Sequence, residues 1–142
     1  MKVEFPSGYY WIGDPGYMFA DEMEYEDFFK GCLYFDTSDI HKGPVAKPKA
    51  CIWNKKSVFT APTAFGDGVF ELYDCGTMIG LLDVDTGFLA LVEVDGKIQP
   101  ASDQVYLVKF DAPFDIDYDD GIFKFGECIE INTKEFWDGG EE

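Results

Sequence analysis

The sequence predicts a mainly β protein, a β-rich α+β fold built as an antiparallel sandwich or barrel with one short N-terminal helix. From residue 50 onward, apolar and polar residues alternate with the period of two that gives a strand one buried face. Turn signals such as Asp95-Gly96 and Asp119-Asp120-Gly121 interrupt this alternation, and Asp-Gly between alternating runs is a strong hairpin signal. Helical spacing is clear only in residues 21–31.

The predicted strands are short runs rich in β-branched and aromatic residues, which favour a pleated, half-buried surface. They cover residues 9–12, 51–53, 58–60, 69–73, 78–84, 88–94, 105–110, 114–118 and 122–131. The segment 41–49 combines Pro, Gly and Lys, and we expect it to form an exposed loop.

The helix is predicted from its ends and its apolar stripe. Asp21 can cap the N-terminus, and Gly31 can end the helix. The apolar stripe consists of Tyr25, Phe28 and Phe29. A second helical turn at 133–137 would close one end of the core.

Composition excludes several functions. The 142 residues contain 28 acidic and 11 basic side chains, giving a net charge of −17, and every basic residue is a lysine. A chain this acidic and without arginine is not expected to bind nucleic acid or an anionic membrane directly. The apolar content of 46% is sufficient for a folded core, and the length predicts a single domain, residues 1–142.

Location and cofactors are predicted from the absence of the usual signals. The N-terminus has no apolar signal-peptide region, and no stretch of about 18 apolar residues is long enough to span a membrane, so we expect a cytoplasmic protein. The four cysteines are widely spaced, and the chain has one histidine, His41. We therefore expect reduced core thiols, no metal site and no cofactor.

The acidic residues are unevenly distributed. Residues 1–39 contain nine acids and two lysines, residues 40–66 contain five lysines and no acid, and residues 67–142 contain 19 acids and four lysines. Within the last segment, Asp115, Asp117 and Asp119 alternate with apolar residues, so they line one face of a strand, and Asp120 follows in the turn. Such a row of carboxylates resembles the ordered phosphates of DNA, although it is also typical of a solvated strand face.

A second candidate site lies in the N-terminal region. An aromatic strand containing Tyr10 and Trp11 runs into Gly13-Asp14-Pro15-Gly16, a stiff bend followed by Tyr17. If the Gly66-Asp67-Gly68 turn lies beside it, Asp14 and Asp67 converge on a cleft suited to acid–base chemistry or a hard cation. The alternatives are an Asx turn at Asp14 and two separate turns.

Several motifs resemble a group of small, uncharacterised bacteriophage proteins. They are Tyr10-Trp11-Ile12-Gly13-Asp14-Pro15, Thr63-Ala64-Phe65-Gly66-Asp67-Gly68 and Gly121-Ile122-Phe123-Lys124-Phe125-Gly126. The resemblance implies a phage accessory protein made in the host bacterial cytoplasm. It implies no particular activity.

The leading functional hypothesis is non-enzymatic: an acidic phage-type accessory protein that binds, and inhibits, a basic surface of a host protein, in a nucleic-acid-mimic or anti-defence role. The interaction surface would contain Asp115, Asp117, Asp119 and Asp120. The alternative is small-ligand or nucleotide binding or sequestration, or metal-assisted hydrolysis, around Asp14 and Asp67 with Tyr10, Trp11 and Tyr17 as an aromatic wall. A third possibility is a structural module that self-associates.

Overall fold

The computed structural model describes residues 2–135 and contains 13 strands, one 3₁₀ turn and one α-helix in that range. The first half comprises β1 (Lys2–Phe5), β2 (Gly8–Gly13), the 3₁₀ turn Pro15–Tyr17, α1 (Glu22–Cys32), β3 (Tyr34–Asp36), β4 (Val45–Lys47), β5 (Lys49–Trp53) and β6 (Lys56–Pro62). The second half comprises β7 (Gly68–Asp74), β8 (Thr77–Val84), β9 (Phe88–Val94), β10 (Tyr106–Phe110), β11 (Phe114–Asp119), β12 (Ile122–Phe125) and β13 (Ile129–Asn132). The helical turn predicted at 133–137 lies partly outside the described residues.

Two antiparallel sheets pack face to face, as the sequence predicts. Sheet A has the strand order β1-β11-β12-β13-β7-β8, and sheet B has the order β10-β2-β9-β6-β5. A small two-stranded sheet, β3-β4, lies beside them. The core between sheets A and B is rich in aromatic side chains, including the fully buried Tyr10, Phe59, Phe70 and Phe123.

The central strands of sheet B, β6 and β9, are buried on both faces, and this explains their nearly continuous apolar sequences. Every residue from Ser57 to Ala61 and from Phe88 to Val92 is buried. One face packs against sheet A, and the other forms a second core with Phe28 and Cys32 of the helix. The fold therefore has three layers: sheet A, sheet B and the helical layer.

The helix forms nearly where the sequence predicts it. The Asp21 carboxylate accepts a hydrogen bond from the Met23 amide at 2.9 Å, which is the expected cap. Gly31 does not end the helix, which continues to Cys32. The apolar stripe is narrower than predicted, because Phe28 is buried whereas Phe29 is exposed.

Two segments depart from the predicted strand pattern. The predicted strand 122–131 is divided into β12 and β13 by a turn at Gly126, which adopts a positive φ of 69°. The expected loop 41–49 contains β4 and the start of β5, because Val45–Lys47 pairs with Tyr34–Asp36.

The expectation that all four cysteines are reduced is wrong for one pair. Cys75 follows β7, Cys128 precedes β13, and the two form a disulfide. The pairing of β13 with β7 brings these positions together, and the Cys75 amide donates to the Cys128 carbonyl at 2.8 Å. Because the partners are 53 residues apart in sequence, spacing alone does not reveal the bond. Cys32 and Cys51 are free.

Within residues 2–135, no helix combines the length and apolar character needed to cross a bilayer.

Gly121 should tolerate no side chain. It has a φ of 90°, and an added Cβ would lie 2.6 Å from Ala64 Cβ and 2.8 Å from Thr133 Oγ1. Gly76 is a matched control, because its φ is 84° but a Cβ there meets nothing within 4 Å. We expect Gly76→Ala to cost about 1–2 kcal/mol from backbone strain, and Gly121→Ala to cost about 1–3 kcal/mol more from the clash. Guanidinium unfolding measures both, and equal losses would contradict the packing at Gly121.

Candidate functional site

The Asp14 carboxylate is buried, and both of its oxygens accept hydrogen bonds from other groups of the protein. Its Oδ1 accepts from the Gly16 amide at 2.8 Å and from the Thr86 hydroxyl at 2.8 Å. Its Oδ2 accepts from the amides of Asp85 at 2.5 Å and Thr86 at 3.0 Å. Because Asp14 has no exposed surface, this side chain joins the turn after β2 to the turn between β8 and β9. The Asx turn considered from the sequence is present, as the Gly16 contact shows.

Hydrogen bonds continue from this point through neighbouring turns. The Thr63 amide donates to the Gly87 carbonyl at 3.0 Å, and the Ala64 amide donates to Thr133 Oγ1 at 2.9 Å. The Thr133 hydroxyl in turn donates to the Gly121 carbonyl at 2.5 Å. We call this set, residues 14–16, 63–67, 85–87, 119–121 and 133, the turn network.

The structure brings Asp14 and Asp67 to the same end of the sandwich without a shared open site. Asp67 is exposed in the turn before β7, whereas Asp14 is sealed beneath the β8–β9 turn. The two carboxylates therefore do not face one cleft. This geometry gives no support to acid–base chemistry or cation binding between them.

The aromatic residues predicted beside Asp14 have separate roles. Tyr10 is buried in the core, where its hydroxyl donates to the Pro6 carbonyl at 2.7 Å, and burial raises its pKa. Trp11 is partly exposed and donates from Nε1 to the Ile98 carbonyl at 2.9 Å. The Tyr17 hydroxyl donates to Asp85, and this hydrogen bond raises the pKa of Tyr17 to about 12. Together they do not form an aromatic wall around Asp14.

The predicted acidic face is present on sheet A. Asp115, Asp117 and Asp119 are exposed and alternate with the buried Phe114, Ile116 and Tyr118. Asp120 lies in the following turn, where it pairs with Lys134 at 3.3 Å. Three of the four predicted residues thus share one face, and the fourth lies at its end.

Neighbouring strands extend this surface and interrupt its charge. We define the acidic face as the outward-facing charged residues of sheet A: Glu4, Glu71, Asp83, Asp115, Asp117, Asp119 and Glu130, with Lys2 and Lys124. The register places Asp117 opposite Lys2 on one side and Lys124 on the other. It also places Glu4 opposite Asp115, so two carboxylates are direct neighbours across the strands. The negative charge is therefore partly neutralised by the lysines beside Asp117 and is densest where Glu4 and Asp115 face each other.

A cleft of about 670 Å³ lies at the end of the sandwich opposite the turn network, and the sequence did not indicate it. We call it the corner cleft. One wall is the strand β10 from Leu107 to Phe110, and the other carries Asp74, Glu127 and Cys128. Its residues come from separate strand ends. The pairing of β7 with β13 brings Asp74 and Cys128 together, and the packing of sheet B against sheet A places β10 opposite them.

The disulfide fixes one wall of the corner cleft. It ties the β7–β8 turn to the β12–β13 turn, at the place where Asp74 and Glu127 lie. Asp74, Cys75 and Cys128 also lie within metal-binding distance of one another. The two sulfurs are bonded to each other, however, so the Asp74 carboxylate is the one metal ligand that this group can supply.

The two free cysteines form a second feature that the sequence did not indicate. Cys51 on β5 is partly exposed, and its Sγ lies 3.9 Å from the carbonyl oxygen of Gly31. A hydrogen bond from Cys32 and the nearby ammonium of Lys49 lower the pKa of Cys51 to about 7, against the opposing effect of burial. The same thiol pairing raises the pKa of Cys32.

No protein-family model, curated protein or solved structure matches the chain. Its function must therefore be argued from its own geometry.

Asp14→Asn should destabilise the protein strongly, because the amide would turn an N–H donor toward backbone N–H groups and leave them unpaired. We expect a loss of about 2–4 kcal/mol in the free energy of unfolding. Asp67→Asn, at an exposed position, should change it by less than about 0.5 kcal/mol. Guanidinium unfolding compares the two, and equal effects would contradict the role assigned to Asp14.

Cys51 should be the most reactive thiol in the native protein. Because its pKa is lowered to about 7, its thiolate forms as the pH rises through 7. The rate of iodoacetamide alkylation, followed by mass spectrometry, should therefore rise with a midpoint near that value. Cys51→Ser should remove the fast reaction, and Cys32→Ala, which removes the hydrogen-bond donor, should slow it near pH 7. A midpoint above about 8.5, the value of a free cysteine, would contradict the lowered pKa.

Proposed function

We propose that this protein binds a basic surface of another protein through the acidic face of sheet A. The observation that carries the proposal is the opposition of Glu4 and Asp115 on an otherwise open sheet face. Like charges directly opposite each other across strands are destabilising. A fold that keeps them there, together with a net charge of −17, has a surface suited to a cationic partner.

The shape of the surface supports the same proposal. Residues 2–135 place no helix or strand over the outer face of sheet A, whereas the central strands β6 and β9 of sheet B are covered on both faces. Along β11 the carboxylates repeat about every 6.8 Å, because alternate residues of a strand point to the same side. This rigid spacing suits recognition of a groove that normally binds nucleic acid phosphates, and Lys2 and Lys124 would set the register of the partner.

The resemblance to bacteriophage proteins suggests the class of protein to which the partner belongs. It favours a host protein with a nucleic-acid-binding or defence role, which the acidic face would inhibit by competition. The host cytoplasm is then the expected place of action. The Cys75–Cys128 bond lies outside the acidic face, so this proposal does not depend on whether the two thiols are oxidised.

The proposal predicts a salt-dependent interaction that needs the acidic face. The combined change Asp115→Asn, Asp117→Asn, Asp119→Asn should reduce capture of a partner from bacterial lysate by about tenfold at low salt. Wild-type capture should fall steeply between about 50 and 300 mM salt, and double-stranded DNA should displace the partner. Quantitative mass spectrometry of the captured proteins measures all three effects.

A control variant with the same change of net charge distinguishes the effect of the acidic face from the effect of net charge alone. The control changes three exposed helix residues, Glu22→Gln, Glu24→Gln and Glu26→Gln, and removes the same total negative charge. Capture by this variant should change less than about twofold. Asp115→Asn alone should raise the free energy of unfolding by about 0.2–1 kcal/mol, since it relieves the repulsion with Glu4. Equal loss of capture in both triple variants, or capture that is insensitive to salt, would overturn the proposal.

A further inference from the structure

Two strands end their sheets at the same corner of the sandwich. β8 is the last strand of sheet A, and β10 is the last strand of sheet B. They meet where the Leu81 amide donates to the Tyr106 hydroxyl at 3.3 Å. Gly80 permits this approach, because a Cβ there would lie 2.1 Å from the Tyr106 oxygen. The contact closes the corner at the Tyr106 end of β10.

Beyond this contact, β10 borders the corner cleft with an unpaired edge. Among the described residues β10 pairs with β2 alone, and its Leu107–Phe110 segment forms one wall of the cleft. The far end is bounded near Gly126, where a Cβ would lie 3.5 Å from the Phe110 ring. An edge strand presents alternate N–H and C=O groups that lack partners in its own sheet. The cleft therefore has one wall made of hydrogen-bonding backbone.

The opposite wall selects by charge. Lys109 pairs with Asp111 at 3.5 Å, and within residues 2–135 no lysine pairs with Asp74 or Glu127. These two carboxylates stay uncompensated at the rim. Ile79 and Leu107 add apolar surface between the charged groups. The lining thus combines a backbone edge, apolar contacts and two unpaired negative charges.

We propose that the corner cleft binds an extended, basic segment of the partner protein by strand addition to the free edge of β10. Main-chain hydrogen bonds to Leu107–Phe110 would supply affinity, and lysine or arginine side chains would pair with Asp74 and Glu127. A segment of about four residues fits the available edge, at about 3.3 Å per residue. The inference rests on the proposed function and adds a second contact to it, on a surface distinct from the acidic face.

The disulfide contributes to this site by holding it open. Because it joins the β7–β8 and β12–β13 turns, the wall that carries Asp74 and Glu127 keeps its distance from β10 without a bound segment. A preformed groove lowers the entropy that binding must overcome.

The test uses a fluorescein-labelled Lys-Val-Lys-Val-Lys-Val peptide and the complete oxidised chain. Fluorescence anisotropy should show saturable binding. The paired changes Asp74→Asn and Glu127→Gln should weaken it about tenfold, whereas Glu24→Gln and Glu26→Gln on the exposed side of the helix, with the same change of charge, should alter it less than about twofold. In NMR spectra of the labelled protein, the largest amide shifts on titration should fall on residues 107–110.

Peptide controls separate strand addition from simple charge attraction. The same peptide with every backbone amide N-methylated keeps its charge but has no N–H group to donate to a strand edge, and it should bind at least about tenfold more weakly. A Glu-Val peptide should not bind. Equal binding of the methylated peptide, equal loss in both protein variants, no binding at all, or self-association through β10 would each overturn the inference.

The outcomes also separate this inference from the proposed function. If the peptide fails to bind while the acidic face still governs salt-dependent capture, strand addition is wrong and the proposed function stands. If the peptide binds through the cleft while the acidic-face variant captures its partner like the wild type, the proposed function is wrong and the cleft is the binding site.

Discussion

The turn network holds one end of the sandwich by hydrogen bonds between turns, and the buried carboxylate of Asp14 lies at its start. A buried carboxylate is costly unless donors surround it, and here three amides and one hydroxyl do so. This arrangement fixes where β2 ends relative to the β8–β9 turn, and so positions strands of both sheets. Among residues 2–135 no other carboxylate is buried, and the opposite end is held in a different way. There the β12–β13 and β7–β8 turns are joined by a disulfide, and the free edge of β10 faces them.

Layering explains where interaction surfaces remain. Because sheet B packs against sheet A on one side and the helical layer on the other, the side chains of its central strands β6 and β9 belong to two cores. The outer face of sheet A and the strand edges at the corner are left for contacts with other molecules. Both carry uncompensated acids, which links the charge of the whole chain to particular places in the fold.

The sequence predicted what local patterns determine. Alternating residues and Asp-Gly turns indicated the strands, Asp21 indicated the start of the helix, and Asp115 to Asp119 indicated an exposed face. It did not predict features that depend on distant pairings. The Cys75–Cys128 bond, the position of Lys2 opposite Asp117 and the corner cleft all depend on strands far apart in sequence. The motifs around Asp14 and Gly66 suggested a site, whereas in the structure they contribute to the turn network.

The disulfide also has a consequence for how the chain folds. Its partners are 53 residues apart, and in the chain-entropy description closing a loop of that length removes about 4 kcal/mol of conformational freedom from the unfolded state. The pairing of β7 with β13 is a non-local contact of the kind that slows folding, since the chain must close a long loop before the contact forms. In the oxidised chain that loop is already closed. The oxidised and reduced forms would thus begin folding from different unfolded ensembles. In the oxidised form the adjoining ends of β7 and β13 are already held together, whereas in the reduced form they must meet by diffusion.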